Sequence, residues 1–153
     1  FGYLSSIYKV IDRRSGLPYA LRRVDGARVS QKVTASVQSR WRAVCHSNII
    51  SLRRIFVHGG ATYFVHQYWP CAQSLLQYHF APSTQDGTSL IDESCLWSYL
   101  LQLVTATRTI HAATMACRGI GLSRILITSS CGRIRLGGVG VTDVLEYDAC
   151  KSV

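Results

Sequence analysis

The stretch 92–113 constrains this chain most. Leu96, Leu100, Leu103, Val104 and Ile110 recur at the spacing of one helical stripe, and Asp92 or Ser94 stands where an N-cap belongs. A helix this long and apolar reads as the central core helix of its domain. The residues before it carry a different pattern. Apolar runs at 7–10 and 19–24 flank the turn-like Asp12-Arg13-Arg14-Ser15-Gly16-Leu17-Pro18, which predicts a β-hairpin ended by Asp25-Gly26. Val33, Val37, Trp41 and Val44 predict an amphipathic helix over 31–44, with Ser30 as N-cap. Residues 49–57 and 62–67 read as strands around His58-Gly59-Gly60, and Pro70 stops the second. The polar stretch 81–89 is either a linker between two lobes or only a loop. Beyond the long helix, 125–128 and 134–136 read as short strands around Ser129-Ser130-Cys131-Gly132. The order is hairpin, helix, two strands, connector, long helix, loop, small hairpin.

Composition narrows the chemistry. The 153 residues amount to one domain, or part of a larger one, and 48% apolar content is ample for a core. No run approaches the roughly 18 apolar residues of a membrane span. The chain starts at Phe1 and shows no signal-peptide pattern, so it reads as an internal fragment. Cys45, Cys71, Cys95, Cys117, Cys131 and Cys150 are scattered, with no Cys-x-x-Cys pair and no zinc spacing. That usage predicts reduced thiols in a cytosolic or nuclear protein. The formal net charge is +9, with Arg well ahead of Lys. It favours nucleic acid, a nucleotide or an acidic protein as partner, or reflects nothing more than a solvated basic surface. Trp41 and Trp97 sit at core spacing, the five histidines read as structural, and Arg133 and Arg135 read as a solvated strand face.

The segment Cys117-Arg118-Gly119-Ile120-Gly121-Leu122-Ser123-Arg124, followed by Ile125-Leu126-Ile127, has the outline of a catalytic loop of the pattern H-R-D-L-x-x-x-N. Other stretches fit in order: Leu17-Pro18-Tyr19-Ala20-Leu21-Arg22-Arg23-Val24, His46-Ser47-Asn48-Ile49-Ile50-Ser51-Leu52-Arg53, Leu96-Trp97-Ser98-Tyr99, Ala106-Thr107-Arg108-Thr109-Ile110-His111 and Gly138-Val139-Gly140-Val141. Together they make the chain resemble the protein-kinase fold, and more closely the regulatory pseudokinase family of poly(A)-nuclease deadenylation complexes. The resemblance implies an α+β, protein-kinase-like fold: an amino-terminal lobe of β-sheet plus one helix with the hinge (1–70), and the start of a helical carboxy-terminal lobe (71–153). The family's downstream coiled coil and knob domain lie outside this chain.

By the same resemblance, three catalytic groups are missing. Gly119 stands at the catalytic Asp, Arg124 at the metal-binding Asn, and Gly138 at the metal-binding Asp of D-F-G. These parts do the positioning and charge stabilisation of phosphoryl transfer, so no kinase activity is expected. Arg22 aligns with the phosphate-gripping lysine, and its helix glutamate partner is replaced near Val37. In the phosphate loop only Gly2 fits, with Ser5 at the third glycine, a turn expected to hold no phosphate. The hinge corresponds to Gln67, Tyr68, Trp69, Pro70, Cys71, Ala72, Gln73 and Ser74, with Gln67 in place of the family's Asp and Trp69 in place of its His. Ser123 and Arg124 correspond to the family's Ser/Thr-Lys pair. The implied ligand is ATP, held with little need of magnesium because Arg124 supplies charge where a metal would. The implied setting is cytoplasmic, P-bodies included. The implied partners are a catalytic deadenylase subunit, a second copy of the family's full-length protein, poly(A) RNA and poly(A)-binding protein, with no membrane. The alternatives are an active atypical kinase using Asp143 or Glu146, and a basic RNA-binding or scaffold module with no nucleotide.

Overall fold

The structure, a computed structural model, describes residues 3–27, 29–81 and 91–147. The chain divides into two compact units, one of Phe1–Cys45, Ser51–Tyr68 and Gly138–Val153, the other of His46–Ile50 and Trp69–Gly137.

The first unit is built on four antiparallel strands in the order β1-β2-β4-β3, with β1 at Ser5–Ile11, β2 at Pro18–Asp25, β3 at Leu52–His58 and β4 at Ala61–Gln67. Alternation along β4 sends Thr62, Phe64 and His66 inward, where all three are buried. Helix α1 (Gln31–Ala43) covers that face with Val37 and Trp41. It starts as the sequence predicts, with the Ser30 hydroxyl accepting the Val33 N–H at 3.4 Å. Its Gln38 side chain accepts the Ile55 N–H at 2.7 Å, which satisfies a backbone donor on the edge strand β3.

In the second unit, a three-stranded sheet is ordered β5-β6-β7, with β5 at Gln73–Ser74, β6 at Ile125–Ile127 and β7 at Ile134–Leu136. Its helices are α2 (Leu75–Phe80) and α3 (Glu93–Ala112). Asn48 ties this unit together. Its amide donates to Gln102 Oε1 and to the Ile134 carbonyl, each at 2.8 Å, while Gln102 Oε1 also accepts the Ile134 N–H at 3.0 Å.

Three sequence expectations change. The strand predicted over 49–57 begins at Leu52, because Ile49 bridges to Leu136 and Ile50 donates to the Leu136 carbonyl in the second unit. Most of the expected core stripe of α3 is exposed: Leu96, Leu100 and Val104 are open to solvent, Leu103 is half-buried, and Trp97 is 58% exposed. Of the stripe, Ile110 is buried as expected, and Tyr99 and Ala106 are buried with it. It is apolar on two sides, and periodicity alone does not say which side faces the hairpin. Asp92 holds the N-cap position without capping through its side chain, and its carboxylate accepts the Ser94 hydroxyl instead. Helix α2 and the five-residue α4 (Val141–Leu145) were not anticipated. The signal for α2 is present in the sequence, because Ser74 and Gln77 form a capping box. Cys45, Cys71, Cys95, Cys117 and Cys131 are free thiols, and Cys150 lies outside the described residues. Of the described residues, no helix is long and apolar enough to cross a membrane.

Candidate functional site

Arg22 lies mid-strand on β2, paired in register with Phe64 of β4. Its guanidinium Nη1 donates to the Ser5 hydroxyl at 3.1 Å, so two positions singled out in the sequence meet across β1 and β2. Val37, at the position expected to have lost the glutamate, is 3% exposed and belongs to the core under the sheet. Gly2 falls outside the described residues.

The Gly138-Val139-Gly140 segment closes the same unit. Gly138 has φ +69 and Gly140 φ +78, the left-handed region that L side chains rarely adopt. Position 140 has a second constraint, since a Cβ there would come within 2.8 Å of Leu52 Cδ2 and 3.3 Å of Trp41 Cδ1. Between the two glycines, the Val139 carbonyl accepts a hydrogen bond from His66 Nε2 at 3.0 Å. The acceptor fixes the tautomer, because a carbonyl cannot donate. Burial pushes the His66 pKa down from 6.5 to about 4; the Val139 bond opposes the shift and the Arg22 charge adds to it. Nearby, the Trp41 indole N–H donates to the Asp143 carboxylate at 2.8 Å. One of the two carboxylates weighed as an alternative catalytic group is thus engaged in packing α4 onto α1.

The hinge residues divide between the units. Gln67 N–H donates to the Ser51 carbonyl at 3.0 Å, and Lys9 Nζ lies 5.0 Å from the Tyr68 ring centre. Both belong to the first unit. In the second, the Arg135 guanidinium stacks 3.7 Å from the Trp69 ring centre, donates to the Thr128 hydroxyl at 3.2 Å and reaches the Ser47 carbonyl. This corrects the reading of Arg135 as a solvated strand residue. The Trp69 Nε1 is buried without a hydrogen-bond partner among the described residues. Pro70 and Cys71 form a turn, with Cys71 at φ +55 and exposed; Ala72 is half-buried. Gln73 and Ser74 pair with Ile127 and Leu126, and the Ser74 hydroxyl is taken up in capping α2.

Ser123 is exposed, while Arg124 is half-buried in a turn before β6. Arg124 and Gly119 are sterically matched: a Cβ on Gly119 would collide with Arg124 Nη1. The guanidinium therefore fills the space that a side chain at 119 would enter. The sequence named both residues but could not show that one accommodates the other. Its other omissions were His66, whose inward position follows from strand alternation, and the partnership of Arg135 with Trp69. Among the described residues, no group of three His, Cys, Asp or Glu side chains is placed to hold a metal ion.

Chemically, the first unit offers a cation at Arg22 beside a neutral buried imidazole. The second offers a cation at Arg124 facing a glycine.

No protein-family model matches the chain. It is 40% identical over 153 residues to the PAN2-PAN3 deadenylation complex subunit pan3 of Dictyostelium discoideum, a match covering 97% of this chain and 20% of that protein. The human PAN2-PAN3 deadenylation complex subunit PAN3 is 32% identical over 170 residues, covering 97% of this chain and 19% of its own length. The chain thus spans about a fifth of the length of the curated relatives it matches. The solved structure of the Drosophila melanogaster PAN3 pseudokinase superposes with a TM-score of 0.84 at 26% identity, over 95% of this chain and 39% of that one. The fold is therefore protein-kinase-like and α+β, as the resemblance implied: an antiparallel sheet with its helix, and part of a helical lobe.

Proposed function

We propose that this chain, homologous along its own length to PAN3 deadenylation-complex subunits, is a non-catalytic, ATP-binding pseudokinase portion of a regulatory subunit for mRNA poly(A)-tail shortening. The observation that carries the non-catalytic reading is the Gly119–Arg124 pair. A base needs a side chain at 119, and glycine has none; a Cβ there would meet the end of the Arg124 side chain. Gly138, at the metal-binding Asp of the kinase pattern, has no carboxylate to offer.

The chemistry of the donor groups supports ATP as the ligand. Guanidinium groups contact phosphate oxygens through paired N–H bonds, and Arg22 and Arg124 are the proposed phosphate contacts. Gln67 to Ser74 supply backbone groups for the adenine edge, with Tyr68, Trp69, Pro70, Cys71, Ala72 and Gln73 between. Ser123 adds a hydroxyl beside Arg124. When bound, ATP supplies a polyanion that neutralises these cations, and binding lends stability. In the whole subunit we place the catalytic deadenylase, a second copy of the subunit, poly(A) RNA and poly(A)-binding protein as partners, in the cytoplasm and P-bodies.

Thermal unfolding with and without magnesium tests the nucleotide. ATP at about 100 times its dissociation constant stabilises a protein by roughly 2.7 kcal/mol. The expected result is a rise without magnesium that Arg22→Ala abolishes. An unchanged melting curve at saturating ATP in both conditions rules the nucleotide out.

A further inference from the structure

Two adjacent serines at the start of β1 meet two adjacent arginines of β2 in different ways. In the antiparallel register Ser5 lies opposite Val24, and Arg22, two residues back, is its diagonal neighbour on the same face. The Arg22 Nη1 donates to the Ser5 hydroxyl at 3.1 Å, and both residues are half-buried. Ser6 points to the other face, directly opposite Arg23. That guanidinium is held by a carboxylate: its Nε donates to Asp25 Oδ1 at 2.9 Å, and its Nη2 lies 2.8 Å from the same oxygen.

The segment is placed where an enzyme can take it. β1 ends the strand order β1-β2-β4-β3, so β2 pairs with one side of its backbone and no strand of that sheet pairs with the other. Tyr3 and Leu4, just ahead of Ser5, are exposed. The Ser5 oxygen already sits at hydrogen-bond distance from the guanidinium, so a phosphorus bonded to that oxygen stays within its reach. A phosphoserine carries about −1.5 to −2 charges at pH 7 and three acceptor oxygens. A guanidinium binds such oxygens through parallel N–H bonds.

We propose that Ser5 is a regulatory phosphorylation site, whose phosphate engages the Arg22 guanidinium and closes it to ATP. The inference rests on the nucleotide reading above, in which Arg22 is a phosphate contact. A separate protein kinase transfers the γ-phosphoryl group of its own ATP to Ser5. The Oγ–P bond forms, the bond between the γ-phosphorus and the β,γ-bridging oxygen breaks, ADP leaves and the hydroxyl proton is released. The phosphate then neutralises Arg22, and its remaining charge repels an incoming polyanion. A phosphate on Ser6 lies on the opposite face and competes with Asp25 for Arg23, so it leaves Arg22 as it was.

The test compares the ATP melting shift of the unmodified chain with that of chains carrying genetically encoded phosphoserine at position 5 or at position 6. The unmodified chain and the position-6 chain are expected to shift, and the position-5 chain is not. Ser5→Asp puts a smaller charge in the same place and is expected to reduce the shift, which keeps the comparison open if the phosphorylated chain does not fold. Phosphorus NMR reads the contact without ATP. The second pKa of phosphoserine is about 6, and the guanidinium is expected to lower it by about one unit at position 5 but not at position 6. Arg22→Ala is expected to restore it. An unmodified chain with no ATP shift ends the nucleotide reading and this inference with it. If the unmodified chain shifts and the position-5 chain shifts equally, or the position-6 chain loses the shift as fully, the inference alone is overturned. Phosphopeptide mapping of the protein isolated from its own cells is expected to find phosphate on Ser5, and a map without it overturns the site.

Discussion

His66 is a titratable group held away from water, and that placement sets a pH dependence. Its folded pKa of about 4 lies below the ordinary 6.5, so the neutral form is the native one. As pH falls below 6.5 the unfolded chain takes up a proton that the folded chain refuses until about pH 4. Stability contributed by neutral His66 is therefore complete above pH 6.5 and drains away toward pH 4, at up to about 1.4 kcal/mol per pH unit. The total is on the order of 3 kcal/mol. Urea unfolding across this range should show the loss in wild type. His66→Gln keeps a donor for the Val139 carbonyl but cannot titrate, so its profile should be flatter by that amount. Equal slopes in the two proteins would mean that His66 takes up its proton in the folded state. Single residues like this one were half legible. Alternation along 62–67 says that His66 points inward, but its acceptor lies far along the chain, in the 138–140 segment. Arg124 and Gly119 were each named by the catalytic-loop pattern, yet their steric match is a property of side-chain volume in three dimensions. Trp69 and Arg135 could not have been paired from the sequence, because nothing local brings position 135 to position 69.

At the scale of elements, legibility followed the strength of the local signal. Helix α1 and the strands β1, β2 and β4 were set by capping, turn residues and alternation within a few positions. Helix α3 was visible as a helix, but of its buried face only Ile110 was. The Asn48–Gln102–Ile134 network fixes that face, and polar residues do not register in an apolar stripe. Helix α4 is too short for any period to show, and it is placed by contacts with α1. One of those contacts can be measured. The Trp41 indole is nearly inaccessible, at 4% exposed for the residue, and its N–H points at Asp143. Asp143→Ala leaves a buried donor without this acceptor, which costs about 1–3 kcal/mol. Asp143→Asn retains an oxygen acceptor and should lose clearly less. Denaturant midpoints of the two variants decide it. If alanine and asparagine behave alike and close to wild type, the indole–carboxylate bond does not anchor α4.

Over the whole molecule, the dominant quantity is a net charge of +9, from 17 basic against 8 acidic side chains. Among the described residues the recorded salt bridge is Arg23–Asp25 at 2.8 Å, and both side chains are substantially exposed. An exposed pair of this kind contributes about 0–1 kcal/mol and is screened by salt. With basic side chains in twofold excess, like charges outnumber opposite ones, and a compact cationic chain is destabilised by its own field. Raising the ionic strength from about 0.01 M to about 0.15 M shortens the Debye length from roughly 30 Å to roughly 8 Å. The urea midpoint at neutral pH should rise over that interval. Replacing Arg53 and Arg54 by glutamine, which removes two adjacent cations from the sheet surface, should raise the low-salt midpoint and shrink the response to salt. A midpoint that falls as salt is added would show that ion pairs, not repulsion, govern this fold.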